Sequence, residues 1–318
     1  MSTPDVIDNI TEPTLAELCD AVLSCRAAYD DVAEQVEDIV YFEYGHGGMD
    51  DAIHQLERLT RFFEGMQNKN EEVCRDLAQI YLLIGQIYQY AGNFENSIDW
   101  IKKSIVVDDM YPVAYHSLAI SFQSLGDESL SIKSLEQEIT VEPGNYYTYL
   151  LLADLYEKSG RFDMFDGVIR RLLERDPGNI QGMHKMIRFC ERDPDGRADV
   201  ELLRRRLLKR ADGLNRIDAV IRAYHLAQAG RYGEAIEFLD DWIKKSPNVS
   251  ITHLAGAHIY GLMRQYSKMR DEVARYKNKN HGHEDAMEIK INEFATVFGE
   301  AAAEKIRRLL KVVYPGVV

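Results

Sequence analysis

The sequence predicts an all-α fold made of tandem helical hairpins, and two observations carry this prediction. Small residues recur at an interval of 34 residues, at Gly85, Ala119 and Ala153, and turn glycines follow at the same interval. On both sides of each glycine, apolar residues recur with the spacing of a helix, so each interval holds two helices joined by a short turn. Since a single hairpin cannot bury its apolar face alone, the repeat also predicts that neighbouring hairpins stack.

Each position in the repeat has a physical role. The turn glycines lie where the first helix must end and the chain must reverse, which favours a left-handed cap residue, at Gly92, Gly126 and Gly160. The small residues let the two helices of a hairpin approach closely. Pro143 and Pro177 follow the second helices of their hairpins, where proline marks the end of a helix.

Two consecutive units contain an ordered series of aromatic, small, aromatic, glycine and proline residues. In one unit, which also has a small residue in its second helix, the series is Tyr115, Ala119, Phe122, Gly126, Ser131 and Pro143. In the next unit, where Phe165 replaces that small residue, the series is Tyr149, Ala153, Tyr156, Gly160 and Pro177. The series resembles that of the tetratricopeptide repeat (TPR) family. The resemblance implies a right-handed α-solenoid whose first helices line a concave groove and whose second helices form the convex face.

The pattern predicts about seven hairpins preceded by one helix, which runs from Thr14 to about Tyr29. In the divergent second half, Gly230 keeps the turn glycine, whereas Arg264 stands where the next one is due. Five segments are predicted: 1–31, an acidic lead and capping helix; 32–70, a degenerate first hairpin and linker; 71–178, three regular units; 179–283, three divergent units; 284–318, a C-terminal capping hairpin.

Composition and charge exclude several classes of function. The formal net charge is −14, and residues 1–60 alone hold fourteen Asp and Glu against two Arg. Because phosphate contacts need Lys and Arg, no nucleic-acid partner is expected. No run of about 18 apolar residues occurs, so membrane insertion is not expected either. The start of the sequence does not have the pattern of a signal peptide. The cysteines are too few and too scattered for a disulfide framework: Cys19, Cys25, Cys74 and Cys190. Both observations favour a reduced cytoplasmic setting.

No signature of catalysis or of a bound cofactor is present. The sequence lacks GxSxG, HExxH, a Walker loop and a dinucleotide-binding glycine pattern, so we expect neither an enzyme nor a cofactor. His281 and His283 flank a glycine, and His253 and His258 are five residues apart, which is not the spacing of a helical zinc site. No metal site is therefore expected.

The resemblance implies that groove positions lie on the first helices, at the residue after the leading aromatic and four residues beyond it. With flanking tyrosines and glutamines, these positions define the candidate peptide-binding groove: Leu82, Gln86, Gln89, Tyr90, His116, Ile120, Gln123, Tyr147, Leu150, Asp154, Tyr224 and His258. His184 and Arg188 hold the same positions in a divergent unit. Family members that capture a C-terminal carboxylate place Lys, Asn and Arg at such sites, whereas this chain has Leu82, Gln86, Ser117 and Leu150, so a carboxylate clamp of that kind is not expected. The groove is thus expected to bind an extended or helical protein segment, whose identity the sequence leaves open.

Two alternatives stay open. The acidic N-terminal helix, or tight closure of the solenoid, could fill the groove and leave no room for a partner. The chain could also be a self-assembling structural subunit, a homo-oligomer in which the acidic N-terminal segment of one copy docks on basic second helices near Arg204 and Arg308 of another.

Overall fold

A computed structural model describes residues 13–24, 27–46, 49–192, 197–210, 214–246, 250–280 and 284–313. Every regular element in these ranges is an α-helix, which confirms the predicted all-α fold. The prediction of about seven hairpins and one leading helix corresponds to fifteen helices, and the described ranges contain seventeen. Contacts within the chain divide it into an N-terminal unit, up to Arg161, and a C-terminal unit, from Phe162 on.

The N-terminal unit contains eight helices. They are α1 (Leu15–Leu23), α2 (Ala33–His46), α3 (Met49–Glu64), α4 (Glu71–Tyr90), α5 (Phe94–Val107), α6 (Pro112–Ser124), α7 (Glu128–Val141) and α8 (Tyr146–Lys158). Helix α1 begins after Thr14, whose hydroxyl accepts a hydrogen bond from the Glu17 amide while the Glu17 carboxylate accepts one from the Thr14 amide. It ends at Leu23, so the predicted extension to Tyr29 is wrong; Tyr29 is instead a buried residue of the segment between α1 and α2.

The C-terminal unit contains nine helices in the residues that the structure describes. They are α9 (Phe162–Arg175), α10 (Ile180–Arg192), α11 (Arg197–Lys209), α12 (Arg216–Gln228), α13 (Tyr232–Lys245), α14 (Ile251–Leu262), α15 (Tyr266–Lys279), α16 (Glu284–Phe298) and α17 (Glu300–Val313). Some sequence predictions lie outside the described residues: those for the acidic lead 1–12, Cys25, His281 and His283.

The turn residues adopt the left-handed backbone that the repeat predicts. The φ angles are positive at the three regular glycines and at the divergent one, with values between 71° and 79°: Gly92, Gly126, Gly160 and Gly230. Arg264 also has a positive φ, 58°, so the turn keeps its geometry although a side chain replaces the glycine. A left-handed conformation costs a non-glycine residue about 1 kcal/mol or more. The repeat geometry therefore dominates over local backbone preference at this turn.

Helices α4 and α5 approach each other closely at Gly85. A Cβ atom at this position would lie 2.6 Å from Cγ1 of Ile101, a fully buried residue of α5. A buried apolar cluster joins α4 and α5 to the first helix of the next hairpin, α6: Leu82, Ile98, Ile101, Ala114, Leu118 and Phe122. The small residue at the repeat position thus brings the backbones together and lets the apolar side chains of adjacent hairpins interlock.

Candidate functional site

The first helices α4 and α6 are joined by a layer of amide and hydroxyl groups. Gln89 Nε2 donates hydrogen bonds of 2.8 Å to the Ser117 carbonyl oxygen and of 2.8 Å to Ser121 Oγ. Ser121 Oγ in turn lies 2.9 Å from Ser97 Oγ on α5. Gln86 Nε2 lies 3.4 Å from Ser117 Oγ. Small hydroxyl residues on α6 therefore let the two first helices run side by side while their polar groups stay bonded.

A buried carboxylate joins α6, α7 and α8. Glu138 on α7 is 1% exposed, and its carboxylate accepts hydrogen bonds from Thr148 Oγ1 at 2.7 Å and Asn145 Nδ2 at 2.8 Å. Its other oxygen lies 2.9 Å from Nδ1 of His116 on α6. This hydrogen bond raises the pKa of His116, against the opposing effect of desolvation. The His116 ring also lies 6.3 Å, between centroids, from the ring of Tyr147 at the start of α8.

The predicted groove residues of the N-terminal unit separate into accessible and inaccessible groups. Three apolar or aromatic side chains are exposed, by 66%, 41% and 59% respectively: Tyr90, Ile120 and Tyr147. Gln123 and Asp154 are exposed, whereas Gln86, Gln89 and His116 are half-buried. Leu82 and Leu150 are buried, so they belong to the packing between helices. The accessible and half-buried residues on α4, α6 and α8 form what we call the first-helix face.

In the C-terminal unit, the corresponding positions are covered by a helix of the same chain. The Tyr224 ring packs edge-on against Phe298 of α16 at 5.2 Å between centroids, and the His258 ring lies 4.9 Å from the same phenylalanine. Phe294, one turn earlier on α16, stacks on Phe298 at 4.5 Å and is fully buried. Tyr224 and His258 therefore form an aromatic cluster with α16, and they do not line an open groove.

Polar contacts hold α16 across the other first helices of this unit. Arg188 on α10 donates a hydrogen bond from Nη1 to the Thr296 carbonyl oxygen at 2.8 Å. Arg216, the first residue of α12, forms a 2.7 Å ion pair with Glu293. Helix α16 thus contacts residues of α10, α12 and α14. We call the side of these three helices that α16 contacts the covered face. One alternative left open by the sequence was that the protein's own chain fills the groove. In this unit a helix of the same chain does cover the groove positions, but it is the C-terminal helix α16 and not the acidic N-terminal helix.

Two buried histidines lie beneath the covered face. His184 Nδ1 and His225 Nε2 are 3.0 Å apart, so one ring nitrogen donates a hydrogen bond and the other accepts it. Burial lowers the pKa of His184 well below its ordinary value and that of His225 to about 3. The mutual hydrogen bond needs at least one neutral ring, and burial keeps both neutral near pH 7. This pair therefore acts as a structural contact between α10 and α12.

The remaining candidate groups have local structural partners. His253 Nδ1 lies 2.7 Å from a carboxylate oxygen of the buried Glu272. Within the described residues, no three His, Cys, Asp or Glu side chains converge as metal ligands would. Each helix in those same residues is too short or too polar to cross a membrane.

The basic residues that the self-assembly alternative needs are paired within the chain. Arg204 is 17% exposed and contacts Glu191 at 2.6 Å, with Glu201 on its other side. Arg308 forms a 3.0 Å contact with Glu304 on its own helix. Arg307, beside it, contacts Glu288 at 2.7 Å and also contacts Glu300. Docking an acidic segment on these arginines would have to compete with these carboxylates.

Sequence reasoning missed two features that decide where a groove can be open. Phe298 was not identified as part of the site, although an aromatic residue four positions after Phe294 places both rings on one side of α16. Ser117 and Ser121 were not identified as the partners of Gln89. The two serines lie one turn apart on a helix without Asp, Glu, Lys or Arg, and this pattern could have identified them as partners of a neighbouring polar side chain.

Comparisons with known proteins agree with this architecture. Two models of the tetratricopeptide repeat match the chain, at residues 78–108 and 148–181. A TPR repeat-containing protein of Methanocaldococcus jannaschii is 33% identical over 100 residues, a match that spans 31% of this chain and 31% of that relative.

A solved structure has the same class of fold. A tetratricopeptide repeat protein from Parabacteroides merdae is similar with a TM-score of 0.50 at 11% identity, covering 88% of this chain and 98% of the other. The crystal structure of MamA is similar with a TM-score of 0.41 at 19% identity, covering 54% of this chain and 93% of its own. The first of these supports an α-solenoid built from helical repeats.

Proposed function

We propose that this member of the tetratricopeptide repeat family, whose proteins generally mediate contacts between proteins, binds a segment of a protein partner on the first-helix face of its N-terminal unit. The observation that carries the proposal is the exposure of Tyr90, Ile120 and Tyr147 on adjacent first helices. These three side chains lie on successive first helices, and large apolar side chains grouped on one surface mark a contact site more often than scattered ones do. Aromatic anchors of this kind supply much of the free energy of binding in interfaces.

Polar groups on the same face suit recognition of a peptide backbone. Gln123 is exposed beside Ile120, and Gln86 is half-buried one helix away. Amide side chains can donate and accept hydrogen bonds, so they can pair with peptide groups of any sequence. The Gln89–Ser117–Ser121 layer holds these helices in place before binding, which reduces the entropy lost on association. The face therefore combines fixed anchors with adaptable polar contacts.

The C-terminal unit is a weaker candidate for the same activity. Its equivalent residues Tyr224 and His258 already contact Phe298, and a partner would have to displace α16 to reach them. We therefore assign binding to the N-terminal unit alone. The chemistry proposed is non-catalytic recognition and scaffolding, without a cofactor. Among the described residues, Cys19, Cys74 and Cys190 form no disulfide, which is compatible with the cytoplasmic setting that we propose.

The test compares two double variants in a pull-down with mass spectrometry, followed by titration of the partner that the wild type enriches. Tyr90→Ala/Tyr147→Ala removes two anchors from the first-helix face. We expect its affinity to fall by about tenfold or more, since truncating a single hot-spot anchor costs about 1 kcal/mol or more. Both side chains are exposed, so we expect the thermal midpoint to change little.

The matched control is Val106→Ala/Tyr266→Ala. Val106 and Tyr266 are as exposed as the two tyrosines but lie on the second helices α5 and α15. The control should keep wild-type affinity. Equal affinity of wild type and Tyr90→Ala/Tyr147→Ala would contradict the proposal, and equal losses in both variants would place the contact elsewhere.

Self-assembly is the second candidate, and the ion pairs at Arg204, Arg307 and Arg308 weigh against it. Charge-driven association weakens as salt screens the charges. Sizing the protein at low and high salt separates the two candidates. A monomer at both salt concentrations argues for the binding module, and an oligomer that dissociates at high salt argues for the assembly.

A further inference from the structure

The two units of the chain carry opposite net charge. Residues 1–161 contain 10 Lys and Arg against 29 Asp and Glu, a net charge of −19. Residues 162–318 contain 28 Lys and Arg against 23 Asp and Glu, a net charge of +5. The excess negative charge of the protein therefore belongs to the unit with the accessible first-helix face.

The charge is also arranged around that face. Helix α6, at its centre, contains no Asp, Glu, Lys or Arg. Acidic residues border the helix at both ends, with Asp108 and Asp109 before it and Asp127 and Glu128 after it. Asp154 is exposed on the neighbouring α8. A helix without Asp, Glu, Lys or Arg thus has carboxylates at both of its ends and on the neighbouring first helix.

This arrangement points to one class of partner. We infer, resting on the function proposed above, that the first-helix face binds a basic segment of a separate protein, with apolar or aromatic anchors between its Lys and Arg residues. The anchors contact Ile120 and Tyr147, while the basic side chains lie against the acidic border. Complementary charge raises the rate of encounter and selects against acidic segments.

Two arginines in the basic clusters of the C-terminal unit are already paired with carboxylates of their own unit. Arg204 and Arg307 are held by Glu191 and Glu288, so a second copy would have to give up these ion pairs to engage the acidic unit. A partner with uncommitted Lys and Arg pays no such cost. We therefore assign the basic segment to a different protein.

The test uses synthetic amphipathic peptides of about 18 residues, which share one apolar face with Leu and Phe at helical spacing. One peptide carries Lys at its polar positions and the other carries Glu. Fluorescence anisotropy measures their binding to the full chain at low and at moderate salt. At low salt, we expect the Lys peptide to bind at least about tenfold more tightly than the Glu peptide, and we expect moderate salt to reduce this difference.

Two charge variants locate the effect. Asp109→Asn/Asp154→Asn removes two charges from the acidic border, and Asp99→Asn/Asp240→Asn removes two exposed charges from the second helices α5 and α13. At low salt the border variant should bind the Lys peptide about three- to tenfold more weakly than wild type, and the second-helix variant less than about twofold more weakly. Equal losses in the two variants would overturn the inference, because the attraction would then be spread over the whole chain.

The outcomes also distinguish the inference from the function on which it rests. Equal binding of the Lys and Glu peptides, with both weakened by Tyr90→Ala/Tyr147→Ala, would overturn the charge preference and support the face. Tight binding of the Lys peptide that is unchanged by Tyr90→Ala/Tyr147→Ala would overturn both. Failure of both peptides to bind would overturn the inference, while the pull-down test of the face would stand independently.

Discussion

Ile120 in α6 and Tyr224 in α12 hold the same position in their repeats, yet their surroundings differ. Ile120 is 41% exposed on the first-helix face, whereas Tyr224 is half-buried against Phe298 of α16. The repeat brings both side chains to the equivalent side of a first helix. Whether that side becomes a binding surface or part of a core depends on a helix elsewhere in the chain. A groove position in a helical repeat is thus a site only when nothing else in the chain covers it.

The largest expected effect of a single substitution comes from removing Phe294, which stacks on Phe298 in the aromatic cluster of the C-terminal unit. Phe294→Ala deletes a fully buried ring, and we expect it to lower the free energy of unfolding of this unit by about 3–5 kcal/mol. Chemical denaturation reports this through the fluorescence of Trp242 in a Trp100→Phe background, since each unit contains one tryptophan.

Tyr147→Ala is the comparison in the N-terminal unit, followed through Trp100 in a Trp242→Phe background. Its side chain is 59% exposed, so the loss should stay below about 1 kcal/mol. Similar losses for Phe294→Ala and Tyr147→Ala would show that the two faces are packed alike and would break the comparison.

Acid should affect the two units in opposite directions. The pKa values of His184, His225 and His258 are lowered in the folded state, to about 3 for His225 and about 4 for His258, with burial as the main cause. The unfolded chain then binds more protons below about pH 6.5, so the stability of the C-terminal unit is lost as the pH falls. Between pH 7.5 and pH 5 we expect a loss of about 2 kcal/mol for each histidine that stays neutral in the folded state.

The N-terminal unit has the reverse linkage. The bond to Glu138 raises the pKa of His116, so this contribution is fully present below about pH 6.5 and is lost as the pH rises. Burial, together with Asp30, raises the pKa of Asp76 to about 7, so ionisation of this carboxyl destabilises the folded state as the pH rises from about 4 to 7. Denaturation of the two single-tryptophan variants at both pH values should show the N-terminal unit unchanged or more stable at pH 5. Parallel losses in both units would contradict this account.

Adding a methyl group at Gly85, where α4 and α5 approach each other closely, should destabilise the N-terminal unit. In Gly85→Ala the new Cβ would lie 2.6 Å from Ile101 Cγ1, and we expect a net loss of about 1–2 kcal/mol despite the better helix propensity of alanine. Ile101→Ala removes Cγ1, the atom that the new Cβ meets, so the double variant should lose less stability than the sum of the two single variants.

Gly167→Ala in the C-terminal unit is the control for that substitution. Gly167 lies within α9, and nothing lies within 4 Å of a Cβ atom built there. Alanine should therefore stabilise this helix by about 0.5–1 kcal/mol. Thermal denaturation measures both variants, and a stabilising Gly85→Ala would show that α4 and α5 are not in close contact.

The smallest expected effect concerns a strained turn of the C-terminal unit. Arg264→Gly relieves a left-handed arginine with an exposed side chain, and we expect a gain of about 1 kcal/mol. Gly230→Ala, at the preceding turn, should cost a similar amount because its φ is 73°. If Arg264→Gly is destabilising, the arginine side chain makes a contact that outweighs the strain.

The repeat made much of the fold predictable from sequence, because it rests on local rules. The turn glycines and the close contact at Gly85 follow from backbone sterics that any sequence shows directly. The burial of Leu82 did not follow, since a periodic pattern gives the side of a helix but not the depth of a residue within the stack. The position of α16 did not follow either. Its apolar stripe predicts burial, and nothing local specifies that Phe294 and Phe298 are buried against first helices.

Hydroxyl-radical footprinting of the unmodified protein, with residue-level mass spectrometry, tests the central claim most directly, because oxidation of an aromatic side chain follows its exposure to solvent. The account predicts that Tyr90 and Tyr147 react fast, that Tyr224, Phe294 and Phe298 react much more slowly, and that the fully buried Tyr149 and Tyr276 give the lower limit. Comparable oxidation of Tyr147, Tyr224 and Phe298 would contradict it, because the two units would then expose the same face.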